Sequence, residues 1–151
     1  MPTETSFADW KAIRDLVDAY AHPRGPARPG RPGGGIHRGR QVRLFQGDPA
    51  TRAPEQVITG RADLAATFDH LVQEYDATTY LNGQSTVSVD GDTASGESYC
   101  LAHHLTSEQG ERVLIVMAIR YLDQFRRTGE GWRIARRDLV FDWTDQRTSR
   151  P

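Results

Sequence analysis

Three consecutive stretches decide the fold: TTYLNGQSTVSVDGDTASGESYCLAHHLT (residues 78–106), RVLIVMAIRYLDQFRR (residues 112–127) and GWRIARRDLVFDW (residues 131–143). All three are rich in β-branched and aromatic residues, with apolar side chains recurring at alternate positions. Asp90-Gly91-Asp92 divides the first stretch as a hairpin turn, and Thr128-Gly129-Glu130-Gly131 joins the second to the third. The pattern predicts a meander of about four long antiparallel strands. Successive side chains of a strand point to opposite faces. In SYCLAHHL, Ser98, Cys100, Ala102 and His104 therefore share one side, and Tyr99, Leu101 and His103 the other. Met117, Ile119 and Tyr121 share a face of the next strand in the same way.

Upstream the period changes. In FADWKAIRDLVDAYAH, Phe7, Trp10, Ile13, Leu16, Val17 and Tyr20 recur at helical spacing, and Ser6 with Asp9 forms a short version of a capping box. A helix from Ser6 to about Ala21 follows. RADLAATFDHLVQEYD repeats the pattern with Leu64, Phe68, Leu71, Val72 and Tyr75. VRLF (residues 42–45) and QVITG (residues 56–60) read as short strands between the helices. Helices followed by a strand meander indicate an α+β fold: a cone-shaped curved antiparallel sheet, about four long strands plus short ones, wrapped around two to three N-terminal helices. The wide mouth of such a cone is a natural small-molecule pocket, lined by every second residue of each strand.

The 151 residues suit one domain, spanning residues 1–151, and 37 % hydrophobic residues supply one core. Nineteen basic against twenty acidic side chains leave a net charge of -1, which argues against nucleic-acid or membrane-surface partners. A single cysteine excludes an internal disulfide and any multi-cysteine metal cluster. The histidines at 22, 37, 70, 103 and 104 show no ligand spacing, because adjacent ones on a strand face opposite ways. No metal and no cofactor are expected. The opening residues lack the pattern of a secretory signal, and no run approaches the roughly 18 apolar residues that cross a bilayer. A soluble, cytoplasmic protein is the expectation.

One segment stands apart. Residues 22–41, HPRGPARPGRPGGGIHRGRQ, hold four of the eight prolines, six of the fourteen glycines and five arginines, with no acid. Taken at face value, this is a disordered basic loop. Such a composition is also what a displaced reading frame produces in GC-rich DNA. One choice of codons, read one base later, gives the helix-compatible TRADRRDPDAQAAAFTADGR.

The order of elements, together with GESYCLAHH, VMAIRYLDQFRR and GWRIARRDLVFDW, resembles the SnoaL-like branch of the nuclear transport factor 2-like superfamily. That branch includes polyketide cyclases, scytalone dehydratase and a dehydrochlorinase, as well as proteins that only bind, so fold alone does not give function. The resemblance implies a cofactor-independent dehydratase, cyclase or isomerase acting on an apolar oxygenated substrate, and a homodimer formed through the exposed sheet face. In these relatives a His–Asp pair abstracts a proton. Here the strand motif reads Tyr80-Leu81-Asn82-Gly83-Gln84, with Tyr80 where the histidine stands, and the aspartate position falls near Gly25 inside the odd segment. Neither member of that pair is present.

Other residues are candidates for the chemistry. The resemblance turns the Cys100 face inward, so His104 is a candidate general acid/base; the alternative is a hydrogen-bonded strand histidine. Tyr80 is a phenolic donor to a carbonyl or developing oxyanion, or else a wall aromatic. Arg137 meets a ligand oxygen, or pairs with Asp123 or Asp142. Tyr20, Ser98, Cys100, Met117 and Tyr121 are expected to line the substrate pocket. Asp18 lies off the apolar stripe of its helix and reads as a surface carboxylate.

Overall fold

The computed structural model describes residues 6–150 except 22–35; at residues 20, 21, 36–39, 61, 65, 68, 69, 71 and 72 it describes the backbone alone. The elements run α1 (Phe7–Ala21), β1 (Ile36–Gln46), β2 (Gln56–Thr59), α2 (Arg61–Gln73), β3 (Ala77–Asp90), β4 (Thr93–Glu108), β5 (Glu111–Thr128) and β6 (Gly131–Thr148). Helix α1 starts where its cap predicts. The Asp9 amide donates to Ser6 Oγ at 3.1 Å, and Ser6 Oγ donates back to Asp9 Oδ2 at 3.0 Å.

The six strands form one sheet in the order β2-β1-β6-β5-β4-β3. The long strands β3 to β6 pair antiparallel as expected, but β1 runs parallel to β6 and makes the sheet mixed. The reason is connectivity: β1 comes from α1 and fills the free edge of the last strand, with β2 beyond it. Residues 36–41 of the odd segment belong to β1, where Gln41 pairs with both Thr59 and Arg136, so the loop reading ends too late in the chain. Its other residues, 22–35, lie outside the described residues.

Bulges set the curvature. The register shifts where β3 carries an extra residue between Asn82 and Ser85, and where β6 carries one at Ala135, opposite Gln124 and Phe125, and one at Asp142, opposite Ala118 and Ile119. An extra residue bends its strand and increases the local twist. The β4–β5 turn has Gln109 at φ 52° and Gly110 at φ 83°, two consecutive left-handed residues that match the twist of a tight hairpin.

Both helices pack on the concave face. Ile13 and Val17 of α1 sit on Val89, Ala94, Phe125, Trp132 and Ile134, while Leu64 of α2 sits on Val42 and Ile58. A polar clasp holds α1 at its first turn: Trp132 Nε1 donates to Asp9 Oδ1 at 2.8 Å, and the Arg127 guanidinium lies 4.4 Å from the Trp132 ring centroid. Asp9 is held below the usual carboxylate range, chiefly by that indole bond.

Candidate active site

The pairing register builds the concave face row by row. Thr78, His104 and Ile115 lie side by side on β3, β4 and β5; then come Tyr80, Ala102 and Met117, and then Asn82, Cys100 and Ile119 with Phe141 of β6. Ser98, Tyr121 and Leu139 form the next row, and Asp123 and Arg137 the one beyond. Tyr80, Ser98, Cys100, His104, Met117, Tyr121 and Arg137 therefore share one face. The side chain of Tyr20 lies outside the described residues. Toward α1 the rows close over the apolar core. At the other end Thr78, Tyr80, Ile115, Met117 and Phe141 stay half-buried, so the wall is accessible there.

His104 is the polar centre of this wall. Its ring is turned inward and is 5 % exposed. Nε2 lies 3.0 Å from the Tyr80 hydroxyl. The Tyr75 ring stacks on the imidazole with centroids 4.3 Å apart, and Tyr80 meets it edge-on at 5.5 Å. Nδ1 is buried and has no hydrogen-bond partner among the described residues. Burial pushes His104 below the ordinary histidine range, and the neighbouring His103 adds to this, so the imidazole is neutral at pH 7. Burial raises Tyr80 likewise and keeps its phenol protonated. Cys100 is also raised by burial, which leaves it an unreactive thiol.

Arg137 sits differently. It is fully buried, donates from Nε and Nη2 to the two Asp123 carboxylate oxygens at 2.7 and 2.6 Å, and stacks 3.9 Å from the Tyr121 centroid. Its charge is met by Asp123 rather than left for a ligand. Asp142 instead pairs with Arg120 on the convex face.

Asp18 is a half-exposed surface carboxylate, as its place off the apolar stripe predicts, and it has partners. It accepts from Asn82 Nδ2 at 2.9 Å and from Arg14 Nε at 3.0 Å, tying α1 to β3 beside the bulge. The Asn82 Oδ1 atom is buried with no partner among the described residues. Tyr75 escaped the sequence reading because it continues the apolar stripe of α2. The helix ends at Gln73, and the Asp76 amide bonds to the Leu105 carbonyl at 2.8 Å, which draws Tyr75 across His104. The β-branched Thr78-Thr79 that follows was the available sign that the helix had stopped.

No group of three or more metal-ligating side chains occurs among the described residues. A shallow groove of about 370 Å³ that includes Ser88, Ser95, Glu97 and Gln124 lies away from His104. Among the described residues no helix is long and apolar enough to cross a membrane.

A bent mixed sheet with two helices on its concave face and a polar pair in that wall defines the class: an open cone of the nuclear transport factor 2-like type. The SnoaL-like domain profile matches residues 37–138, more than half of the chain, and the chain belongs to that family. No curated protein matches the chain in sequence. Among solved structures it is similar to the Kfla4162 protein of Kribbella flavida, at TM-score 0.74 and 19 % identity over 91 % of this chain and 93 % of that one. It is similar to the hexachlorocyclohexane dehydrochlorinase LinA-type3 of Novosphingobium barchaimii, at TM-score 0.72 and 13 % identity over 93 % and 90 %. An NTF2-like protein with a cystatin-like fold from Novosphingobium aromaticivorans gives TM-score 0.57 and 23 % identity over 89 % and 82 %. Identities this low establish a shared fold.

Proposed function

We propose that the protein is a cofactor-independent enzyme that moves a proton on an apolar, oxygenated small molecule, in a dehydration, cyclisation or isomerisation. One observation carries the reading: a buried, neutral imidazole with an unused nitrogen, bonded to a phenol, in an apolar wall open at one end. Neutral imidazole is a competent base near pH 7, and phenol is a good donor to a developing oxyanion. His104 transfers the proton and Tyr80 holds the substrate oxygen. Arg137, neutralised by Asp123, supports the floor beneath them. Ser98, Cys100, Met117 and Tyr121 shape the apolar wall.

The test is turnover of aromatic hydroxy-ketones by the native protein and by His104→Ala. Loss of turnover in the variant supports the enzyme. Binding without turnover, unchanged in His104→Ala, replaces it with the second reading, a non-catalytic small-molecule-binding protein. Tyr80 at the position of the relatives' histidine favours that second reading.

The same proposal includes a homodimer. Leu81, Leu101, Ala118 and Trp143 pair in one row across β3 to β6 on the convex face, and Leu81 and Trp143 are 62 % and 54 % exposed. Exposed apolar rows of this kind mark interaction surfaces. A cytoplasmic location fits the single, unpaired, buried Cys100. A frame-shifted origin for residues 22–41 is also part of it; codons that give no helix-compatible string in the next frame overturn that idea.

A further inference from the structure

The concave wall is accessible at the end where Thr78, Ile115 and Phe141 stay half-buried, yet the imidazole set in it is covered. His104 is 5 % exposed, and its unpartnered Nδ1 is buried. No ligand atom reaches Nδ1 until a neighbour moves. The neighbours differ in their freedom to do so. Thr78 and Ile115 flank His104 in the pairing of β3, β4 and β5, and Tyr80 of β3 meets Nε2. Their backbones are fixed in the strand ladders, so withdrawing one of them breaks hydrogen bonds along a strand. Tyr75 is the exception among the described residues. It lies between the end of α2 at Gln73 and the start of β3 at Ala77, and belongs to neither. Its ring covers one flat side of the imidazole, 16° from parallel.

Resting on that reading of the site, we propose that Tyr75 is a side-chain gate, covering His104 at rest and swinging out to admit the ligand. The chain on both sides of it is pinned. The Glu74 amide donates to the His70 carbonyl at 3.2 Å, the Asp76 amide to the Leu105 carbonyl at 2.8 Å, and Ser107 Oγ to Asp76 Oδ2 at 2.8 Å. Motion is therefore left to rotation of Tyr75 about its own side-chain bonds, which keeps all of these hydrogen bonds and gives up only the contacts of the ring. Burial raises the Tyr75 phenol, and outside the cone its hydroxyl regains the water that burial denies it. Closed, the gate keeps the imidazole dry and neutral. Open, it leaves a flat ring face for the ligand to approach. A gate of this kind weakens apparent binding in proportion to the fraction of time it is shut, and excludes water from the site until the ligand arrives.

Access to His104 is measurable without turnover. Diethyl pyrocarbonate acylates unprotonated imidazole, and peptide mass spectrometry assigns a rate to each histidine. In the native protein His104 should react far more slowly than His70, whose side chain is 76 % exposed. Tyr75→Ala should raise the His104 rate roughly tenfold, the worth of one aromatic stacking pair, and leave His70 unchanged. Tyr75→Phe keeps the ring and should react as the native protein does. Alkylation of Cys100 by iodoacetamide, two rows nearer α1 and buried, reports general loosening. A His104 rate that Tyr75→Ala leaves unchanged, or that rises in step with Cys100, overturns the gate. So does a native His104 that reacts as fast as His70. If Tyr75→Ala does not fold, Tyr75→Val takes its place under the same criteria. Turnover lost in His104→Ala, beside an unaltered modification rate in Tyr75→Ala, removes the gate and leaves the enzyme. The expected modification rates without any turnover keep the gate and remove the enzyme.

Discussion

Two buried polar clusters of the concave wall differ in charge. At Arg137 and Asp123 two opposite charges meet in a bidentate pair, both side chains 1 % exposed. At His104 and Tyr80 one hydrogen bond joins two neutral groups and leaves a ring nitrogen unused. The first arrangement suits a fixed floor: any ligand that drew the guanidinium away would strand a buried carboxylate. The second is stable without a ligand and still has capacity to spare. Position alone would have made Arg137 and His104 equal candidates. Charge separates them: Arg137 already faces a carboxylate, whereas His104 and Tyr80 are neutral partners.

That contrast is open to breaking. Asp123→Ala should destabilise the protein by about 3–5 kcal/mol in denaturant titration, because it leaves Arg137 buried and uncompensated. Replacing both partners by apolar residues, Asp123→Leu with Arg137→Met, should recover most of the loss. A small effect of Asp123→Ala would mean that the floor is not built on this pair. His104→Ala should do the reverse: lose roughly 100-fold in turnover, about 2.7 kcal/mol of barrier, at a smaller cost in stability. The two kinds of readout, compared in both variants, sharpen the division between floor and chemistry.

Proton linkage gives a finer test. The folded pKa of His104 lies below its unfolded value of about 6.5, so between the two the unfolded chain binds more protons. Stability should therefore rise with pH through that window and fall as pH drops below about 6.5. His104→Ala should flatten the slope on its acid side. Tyr75→Ala uncovers the ring and should move the His104 pKa up, toward the ordinary value, in an NMR titration, whereas Tyr75→Phe keeps the stacking and should not. The smallest effect belongs to the convex face. Trp143→Arg should change unfolding free energy by no more than about 0.5 kcal/mol, yet break the proposed dimer into monomers in light scattering. An unchanged mass would remove this row from the interface.

Much of the architecture was legible in the chain. Alternation through SYCLAHHL put Cys100 and His104 on one face, and the turn at Asp90-Gly91-Asp92 separated the first two long strands, because both signals are local. The Ser6–Asp9 cap was legible for the same reason. Tyr75 was not, since its periodicity with α2 persists beyond the point where β4 captures the chain at Asp76. Asp18 was legible as a surface carboxylate, but its partner Asn82, 64 residues away, was not.

By itself, then, the sequence determined which segments are helix or strand and which side chains of each strand keep company, since a period of 3.6 or 2 residues needs no distant partner. Only the tertiary structure decided which face is concave, that β1 joins β6 in parallel, that Asp123 takes the charge of Arg137, and that Tyr75 and Tyr80 enclose His104. Those outcomes depend on strand register and on bulges after Asn82 on β3 and at Ala135 and Asp142 on β6, where a shift of one residue exchanges the faces and with them every partner across the sheet.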